Sequence, residues 1–140
     1  MAHYYDWITV ASIATNLEAG SKEQTIKHLV QLLKKTDKVE DEALVERDIL
    51  TRESIESTQI SDYLTVPHAH TNGVKEFCVS LGVVQKKEIY MLIAWDTMNY
   101  QNLKMLARLI EAVNDVNNAK AIIAAKNSQE IYDLLMHAMK

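Results

Sequence analysis

The stretch from Tyr63 to His70 constrains the chain most, because it contains the only proline among 140 residues. Residues 63–66 are aromatic, aliphatic or β-branched, which predicts a short strand. Pro67 has no N–H, fixes its own φ near about −65° and pushes the preceding residue into the extended region. We therefore expect the strand to end at this proline and His68 to lie just beyond that end, at a rigid bend.

A histidine held at a strand end can serve several purposes. Imidazole is neutral and nucleophilic near neutral pH, and its two nitrogens can play different roles. By itself, His68 is compatible with a phosphoryl acceptor, a general base, a metal ligand or a packing residue. His70 stands two positions further on, but no cluster of cysteine, acidic or histidine residues at ligand spacing completes a zinc site. We expect neither a metal nor a cofactor.

Composition excludes several kinds of partner. The formal net charge is −4 and the sequence pI is about 5.7, whereas nucleic acid and anionic membranes require a basic surface. No apolar run reaches the roughly 18 residues of a membrane span, and no secretory signal is visible. The single cysteine, Cys78, lies among apolar residues, which predicts a buried structural thiol and a reducing compartment. We expect a soluble cytoplasmic protein without direct membrane insertion.

Before the proline, the sequence predicts mainly helices. Residues 1–12, including Tyr4 and Tyr5, are apolar without a clear period, and we interpret them as an N-terminal arm or short helix. Ser21 and Gln24 form a capping box, in which each side chain satisfies a free backbone amide at a helix start. The remaining expected elements are a strand over 13–19, a helix from residue 22 onward, a helix over 40–51 and a hydroxyl-rich loop over 54–61.

Two longer strands are predicted after the proline. Large apolar residues over 77–83 alternate with small ones, which indicates a strand with a helix packed closely on its small face. Residues 89–95 are apolar throughout, as is typical of a strand buried on both faces. We therefore interpret Tyr90, Met91 and Trp95 as core residues.

The end of the chain predicts three further helices from the spacing of its apolar residues, and Asn127 with Glu130 caps the last of them. About four strands and five helices predict an α/β fold, in which a mixed sheet is flanked by helices on both faces. The length of 140 residues favours a single domain.

A longer pattern surrounds the proline. It reads Arg47-Asp48-Ile49-Leu50-Thr51-Arg52-Glu53, then Ser57-Thr58, then Leu64-Thr65-Val66-Pro67-His68-Ala69. This pattern resembles the type 2 enzyme IIA domain of the bacterial sugar phosphotransferase system (PTS), whose fructose- and mannitol-type branch has an Arg-Glu pair, a Ser-Thr loop and a Pro-His box. Arg52 stands 16 residues before His68, the spacing expected in that family. The resemblance covers roughly residues 12–138.

The resemblance implies an activity. In this family the histidine of the Pro-His box accepts a phosphoryl group from the phosphocarrier protein HPr and passes it to a cysteine on a IIB partner. His68 would then be the phosphoacceptor of a phosphotransferase component, Arg52 would stabilise the phosphate, and Thr58 would donate a hydrogen bond to it. The only link to the membrane would be indirect, through a IIC transporter, and a homodimer is compatible with the pattern.

Two classes of function follow from the resemblance. The first is a carrier that relays phosphate during sugar uptake. The alternative is a regulatory module whose phosphorylation state controls a transport or transcription partner.

The chain also departs from the family pattern. Asn102 stands where the helix facing the family's site begins with a second histidine, and an amide takes up no proton near neutral pH. His70 is the candidate to replace that imidazole. The connection between the strands over 77–83 and 89–95 is shorter than the family's. Three residues occupy positions at which the family has loop glycines: Gln59, Ser61 and Tyr63.

Overall fold

A six-stranded sheet forms the centre of the molecule, and helices cover both of its faces. The computed structural model describes residues 6–18 and 20–140. The strands of this part are β1 (Ile13–Leu17), β2 (Gln59–Ser61), β3 (Leu64–Thr65), β4 (His68–His70), β5 (Cys78–Val84) and β6 (Glu88–Trp95). The α-helices of this part are α1 (Lys22–Leu33), α2 (Glu42–Ile55), α3 (Tyr100–Asn114), α4 (Val116–Ala124) and α5 (Ser128–Ala138).

The strands follow the order β1-β5-β6-β3-β2, and β4 also pairs with β6. β5 and β6 form an antiparallel hairpin, whereas β1 is parallel to β5, and both β3 and β4 are parallel to β6. The prediction of a mixed sheet in a single α/β domain is confirmed. The expected number of about four strands was too low, because the short strands β2 and β4 carry no periodic signal of their own.

Pro67 interrupts a line of pairing along β6. β3 pairs with the start of β6 and β4 with its end, where His68 stands opposite Ile93. The proline has no N–H to donate, but its carbonyl accepts a hydrogen bond from the Ile93 amide at 2.9 Å. Pairing therefore resumes immediately, and His68 begins a strand. His68 lies just beyond the end of β3, as expected, but the sequence did not predict that it begins a new strand.

The alternation in β5 positions α1 against the sheet. The Ser80 hydroxyl donates to the Leu29 carbonyl at 2.8 Å, and a Cβ at Gly82 would collide with Leu17 and contact Leu29. Only small residues allow this close approach of a helix to the sheet. The large residues of β5 contribute to the core on the opposite face, which is covered by α3, α4 and α5. The packing predicted from the alternation is confirmed.

Helix caps explain where the helices begin. The Ser21 hydroxyl accepts from the Gln24 amide and the Gln24 side chain accepts from the Ser21 amide, both at 3.1 Å, so the predicted capping box is confirmed. At the last helix, the Asn127 side chain accepts from the Glu130 amide at 2.9 Å. At α2, Asp41 supplies the cap by accepting from the Leu44 amide at 3.1 Å.

The helix α2 ends later than predicted. It continues to residue 55, one turn beyond the expected end at residue 51, and therefore includes Arg52 and Glu53. The expected loop over 54–61 is correspondingly shorter, since its last three residues form β2. No glycine or proline ends the helix earlier. The hydrogen bonds of Arg52 and Glu53 described below stabilise its last turn.

The N-terminal segment packs on the core at Trp7 and Ile8. The side chains of Trp7 and Ile8 are buried, and the Trp7 carbonyl accepts from the Val79 amide at 2.8 Å. The rest of the expected arm, with Tyr4 and Tyr5, lies outside the described residues, as does residue 19. None of the helices over 6–18 and 20–140 combines the length and apolar character needed to cross a bilayer.

Candidate functional site

An open depression of about 630 Å³ lies beside β4. One wall comes from the second half of α2, where Arg52 and Ile55 face it, and the other comes from residues 68–72 and Trp95. His68, His70 and Arg52 therefore line one cavity, although they come from separate parts of the chain. The structure thus brings together three of the five residues that the sequence predicts for the site.

A hydrogen bond fixes the orientation of the His68 ring. Its Nδ1 lies 2.8 Å from the carbonyl oxygen of Val66. A carbonyl can only accept, so Nδ1 carries the hydrogen and donates it. In the neutral ring, Nε2 then keeps its lone pair, and it has no hydrogen-bond partner within the described ranges. The half-buried imidazole thus has one nitrogen held and one available as a nucleophile or base.

A tryptophan packs against this histidine. The centroid of the Trp95 ring lies 6.2 Å from that of His68, with 16° between the planes. Trp95 is also 5.6 Å from Phe77, and Phe77 is 4.4 Å from Trp7, again with nearly parallel rings. We name this row of four rings the aromatic ladder. It connects His68 to the protein core.

Trp95 is a site residue that sequence reasoning missed. Tyr90 and Met91 are buried as expected, but Trp95 is only partly buried and lines the depression. A signal was present, because Trp95 ends the apolar run of β6. Had the parallel pairing of β4 with β6 been known, this position would have fallen beside the histidines, since Trp95 stands opposite His70.

Arg52 has hydrogen-bonding capacity left over. One guanidinium nitrogen, Nη1, donates to the Glu56 carbonyl at 2.9 Å, which anchors the side chain to the end of α2. Its other N–H groups have no hydrogen-bond partner in the part of the chain that the structure describes. A guanidinium presents several donors in a fixed plane and suits phosphate or carboxylate groups. His70 lies at the same depression and is exposed.

Thr58 belongs to a different network. It is 7% exposed; its hydroxyl donates to Glu53 Oε2 at 2.8 Å, and its amide donates to Oε1 at 3.2 Å. Lys22 Nζ lies 3.0 Å from the same carboxylate. Burial by itself raises the pKa of Glu53, but the hydrogen bonds from Thr58 and Lys22 outweigh it and hold the pKa below its ordinary value. The structure does not bring the Thr58 hydroxyl into the depression, so its contact with phosphate stays a prediction.

Asn102 lies at another cavity, of about 550 Å³, which Trp7, Phe77 and Lys38 also line. The Asn102 backbone N–H donates to Asn99 Oδ1 at 2.8 Å, and this bond caps α3. The structure does not bring Asn102 into the depression beside His68. Its role at the site therefore stays a prediction without support from this geometry.

Metal and thiol chemistry receive no support from the described residues. Within 6–18 and 20–140, no group of three or more histidine, cysteine or acidic side chains has an arrangement that could hold a metal ion. Cys78 is fully buried in β5, and burial raises the pKa of its thiol to about 12. The prediction of a buried structural thiol is confirmed, since such a group is protonated and unreactive near neutral pH.

The chain with this mixed sheet and this depression is a component of the phosphoenolpyruvate-dependent sugar phosphotransferase system, as a family comparison shows. Residues 7–138 match the family described as "Phosphoenolpyruvate-dependent sugar phosphotransferase system, EIIA 2". The chain belongs to this family, and the resemblance inferred from the Pro-His pattern is confirmed.

One similar protein is the PTS system fructose-specific EIIABC component of Bacillus subtilis (strain 168). It is 27% identical over an alignment 142 residues long, which covers 91% of this chain. The match spans only 22% of the relative, so this chain corresponds to about a fifth of that protein's length.

Two solved structures share the fold. The nitrogen regulatory protein IIA-Ntr of Neisseria meningitidis superposes with a TM-score of 0.76 at 17% identity, over 91% of this chain and 94% of that one. The mannitol enzyme IIA of Escherichia coli, in a complex with phosphorylated enzyme IIB, superposes with a TM-score of 0.73 at 18% identity. That match covers 93% of this chain and 97% of the other.

Proposed function

We propose that this protein is a cytoplasmic phosphoryl carrier, in which His68 accepts a phosphoryl group from HPr and passes it to a cysteine of a IIB component during sugar uptake. The observation that carries the proposal is the hydrogen bond from Nδ1 to the Val66 carbonyl, at 2.8 Å. It leaves Nε2 as the nucleophilic nitrogen at a depression that Arg52 also lines. Membership of the EIIA family and the IIA–IIB complex of the mannitol relative support the choice of a IIB component as a partner.

The first transfer requires no proton movement at His68. The lone pair of Nε2 attacks phosphorus, the bond between phosphorus and the donor breaks, and its electron pair goes to the donor. Nδ1 keeps its hydrogen, which it donates to the Val66 carbonyl. The ring therefore becomes positively charged. Negative charge spreads over the three equatorial oxygens, and such a reaction is accelerated mainly by positioning and electrostatic stabilisation. Arg52 supplies positive charge and N–H donors that have no partner among the described residues, and both suit those oxygens.

The second transfer reverses the first at the same nitrogen. The thiolate of the IIB cysteine attacks phosphorus, and the bond from Nε2 to phosphorus breaks. Its electron pair returns to Nε2, which leaves the neutral ring with the hydrogen still on Nδ1. The positive charge on the phosphorylated ring makes the ring a good leaving group, and this explains how one histidine can both receive and release the phosphoryl group.

The experiment combines the protein with enzyme I, HPr and phosphoenolpyruvate, followed by intact-mass measurement and addition of a IIB protein. We expect one acid-labile, base-stable phosphoryl group, which ³¹P NMR assigns to Nε2 and which IIB removes. His68→Ala should abolish the label, whereas the matched variant His70→Ala, at the same depression, should keep most of it.

Three outcomes would contradict parts of this proposal. Equal loss of label in both variants, or label on His70 in the His68→Ala protein, would identify a different nucleophile. Label on Nδ1 would refute the role given to the Val66 hydrogen bond. A stable label on His68 that no IIB protein removes would favour the regulatory alternative.

A further inference from the structure

We propose that Trp95 is a positioning residue for His68: its indole holds the imidazole in place and stabilises the positive ring that forms when Nε2 is bonded to phosphorus. The inference rests on the proposed function only in that His68 is the phosphorylated residue. It assigns a role to a side chain that the sequence pattern leaves among the core residues.

The contact geometry supports a direct interaction between the two rings. Their centroids are 6.2 Å apart and their planes differ by 16°, which is an offset-parallel arrangement within the range of favourable aromatic pairs. The Val66 carbonyl restrains the imidazole at Nδ1. A single hydrogen bond allows a ring to tilt about that contact, and a neighbouring parallel ring restricts the tilt. Together, the two contacts define the direction in which Nε2 points.

Trp95 can restrain His68 because it is itself held. Its ring stacks on Phe77, which stacks on Trp7, and these two rings are only 4% and 2% exposed. The Trp95 carbonyl accepts from the Thr71 amide at 2.9 Å, which fixes the backbone at the end of β6. The aromatic ladder therefore links the imidazole to the rigid core of the protein.

The charge of the reaction gives the indole a second effect. The neutral imidazole becomes cationic when Nε2 bonds to phosphorus while Nδ1 keeps its hydrogen. A cation beside an aromatic face is stabilised by the ring quadrupole, and tryptophan is the most effective of the aromatic side chains. Because the charge is absent before transfer, this contact favours the transition state and the phosphorylated form over the free histidine.

The test uses phosphoramidate, a small phosphoryl donor that needs no protein docking surface, in parallel with phosphorylated HPr. With phosphoramidate, the bond from Nε2 to phosphorus forms as the phosphorus–nitrogen bond of the donor breaks, and the leaving group departs as ammonia. The variants are Trp95→Leu, which removes the aromatic face, and Trp95→Phe, which keeps one. Tyr132→Leu is the matched control, because it removes a partly buried aromatic side chain of α5 that lies outside the aromatic ladder and does not line the depression.

We expect Trp95→Leu to slow the labelling of His68 by about tenfold with both donors, the size of a partly desolvated cation–π contact. Trp95→Phe should keep the rate within about threefold of that of the wild type, and Tyr132→Leu should leave the rate unchanged. In NMR spectra, Trp95→Leu should also move the ring-proton signals of His68 downfield by removing the indole ring current. Thermal unfolding of each variant shows whether it is folded at the assay temperature.

An unchanged labelling rate in a folded Trp95→Leu protein would overturn the inference. Equal losses in Trp95→Leu and Trp95→Phe would do the same, because an aromatic face would then be irrelevant. A loss with HPr but not with phosphoramidate would make Trp95 a docking residue instead. If phosphoramidate labels His68 in a Trp95-dependent way while HPr does not label it, the inference stands and the proposed function fails.

Discussion

Arg52 and Glu53 are neighbours in α2, but they belong to two regions that differ in how their polar groups are used. Arg52 faces the depression of His68, where Nε2 and most guanidinium N–H groups lack partners within the described residues. Glu53 lies in a network in which Lys22 and Thr58 occupy both of its carboxylate oxygens. Successive residues on a helix point in directions about 100° apart, so one turn of α2 serves both regions.

The comparison separates residues that are available for phosphoryl transfer from residues that stabilise the fold. Unpaired polar groups at an open depression remain hydrated and available to an incoming phosphoryl group. Paired groups that are largely buried stabilise the fold, and each is costly to leave without its partner. On this basis, changes in the depression should alter transfer with little effect on stability, and changes in the network should alter stability with little effect on transfer.

The largest effect is expected from Arg52→Lys. Replacing a planar guanidinium with a single ammonium should slow phosphoryl transfer by about 10²-fold, or roughly 2.7 kcal/mol in activation free energy. The midpoint of thermal unfolding should hardly change, since the only hydrogen bond that the structure gives the Arg52 side chain joins it to the Glu56 carbonyl at the end of α2. Single-turnover transfer from phosphorylated HPr measures the rate.

Arg47→Lys is the matched control, because Arg47 is on the same helix and pairs with Asp48 but does not line the depression. It should leave the transfer rate within about twofold, as expected for an exposed ion pair. An Arg52→Lys protein as active as this control would remove Arg52 from the site.

The second effect concerns Glu53 and pH. Because the folded protein holds the pKa of Glu53 below its ordinary value of 4.5, the carboxylate stabilises the fold above that value. This stabilisation is lost as the pH falls through the folded pKa. Glu53→Gln should lower the free energy of unfolding at pH 7 by about 2 kcal/mol and should flatten its dependence on pH below about 4.5. Denaturant titrations over this pH range measure both.

Glu23→Gln provides the comparison for an exposed carboxylate. Glu23 lies 3.7 Å from Lys27 and is largely exposed, so its loss should cost less than about 0.5 kcal/mol. If Glu53→Gln folded as stably as Glu23→Gln, the network would not hold α2. A large loss of transfer activity in a folded Glu53→Gln protein would show that the two regions are not separable.

The smallest effect is expected from Asn102→Ala. The Asn102 side chain accepts from the Asn99 amide at 3.4 Å, a long hydrogen bond, so its loss should lower the free energy of unfolding by about 0.5 kcal/mol. Transfer by His68 should stay within about twofold, because Asn102 faces a different cavity. A tenfold change in transfer would show that this helix start acts on His68 despite the separation.

Short-range patterns in the sequence determined much of the fold and part of the candidate site. The alternation in β5, the continuous apolar run of β6 and the capping box at Ser21 each depend on residues that are close in the chain, and each predicted its element. The Pro-His box and the spacing to Arg52 pointed to the residues that the structure places at one depression. Helix caps, hydrophobic periodicity and short motifs can be predicted from the sequence because the interactions that cause them are local.

Only the tertiary structure decided how distant residues meet. The parallel register of β4 on β6 places Trp95 beside His68, and the fold of the loop after α2 turns the Thr58 hydroxyl toward Glu53. The start of α3 likewise puts Asn102 at a separate cavity. These outcomes depend on strand register and on competition among hydrogen-bond partners that are far apart in sequence. The periodicity of a single segment does not predict the strand register or the hydrogen-bond partners, because packing between segments sets the free energy of each arrangement.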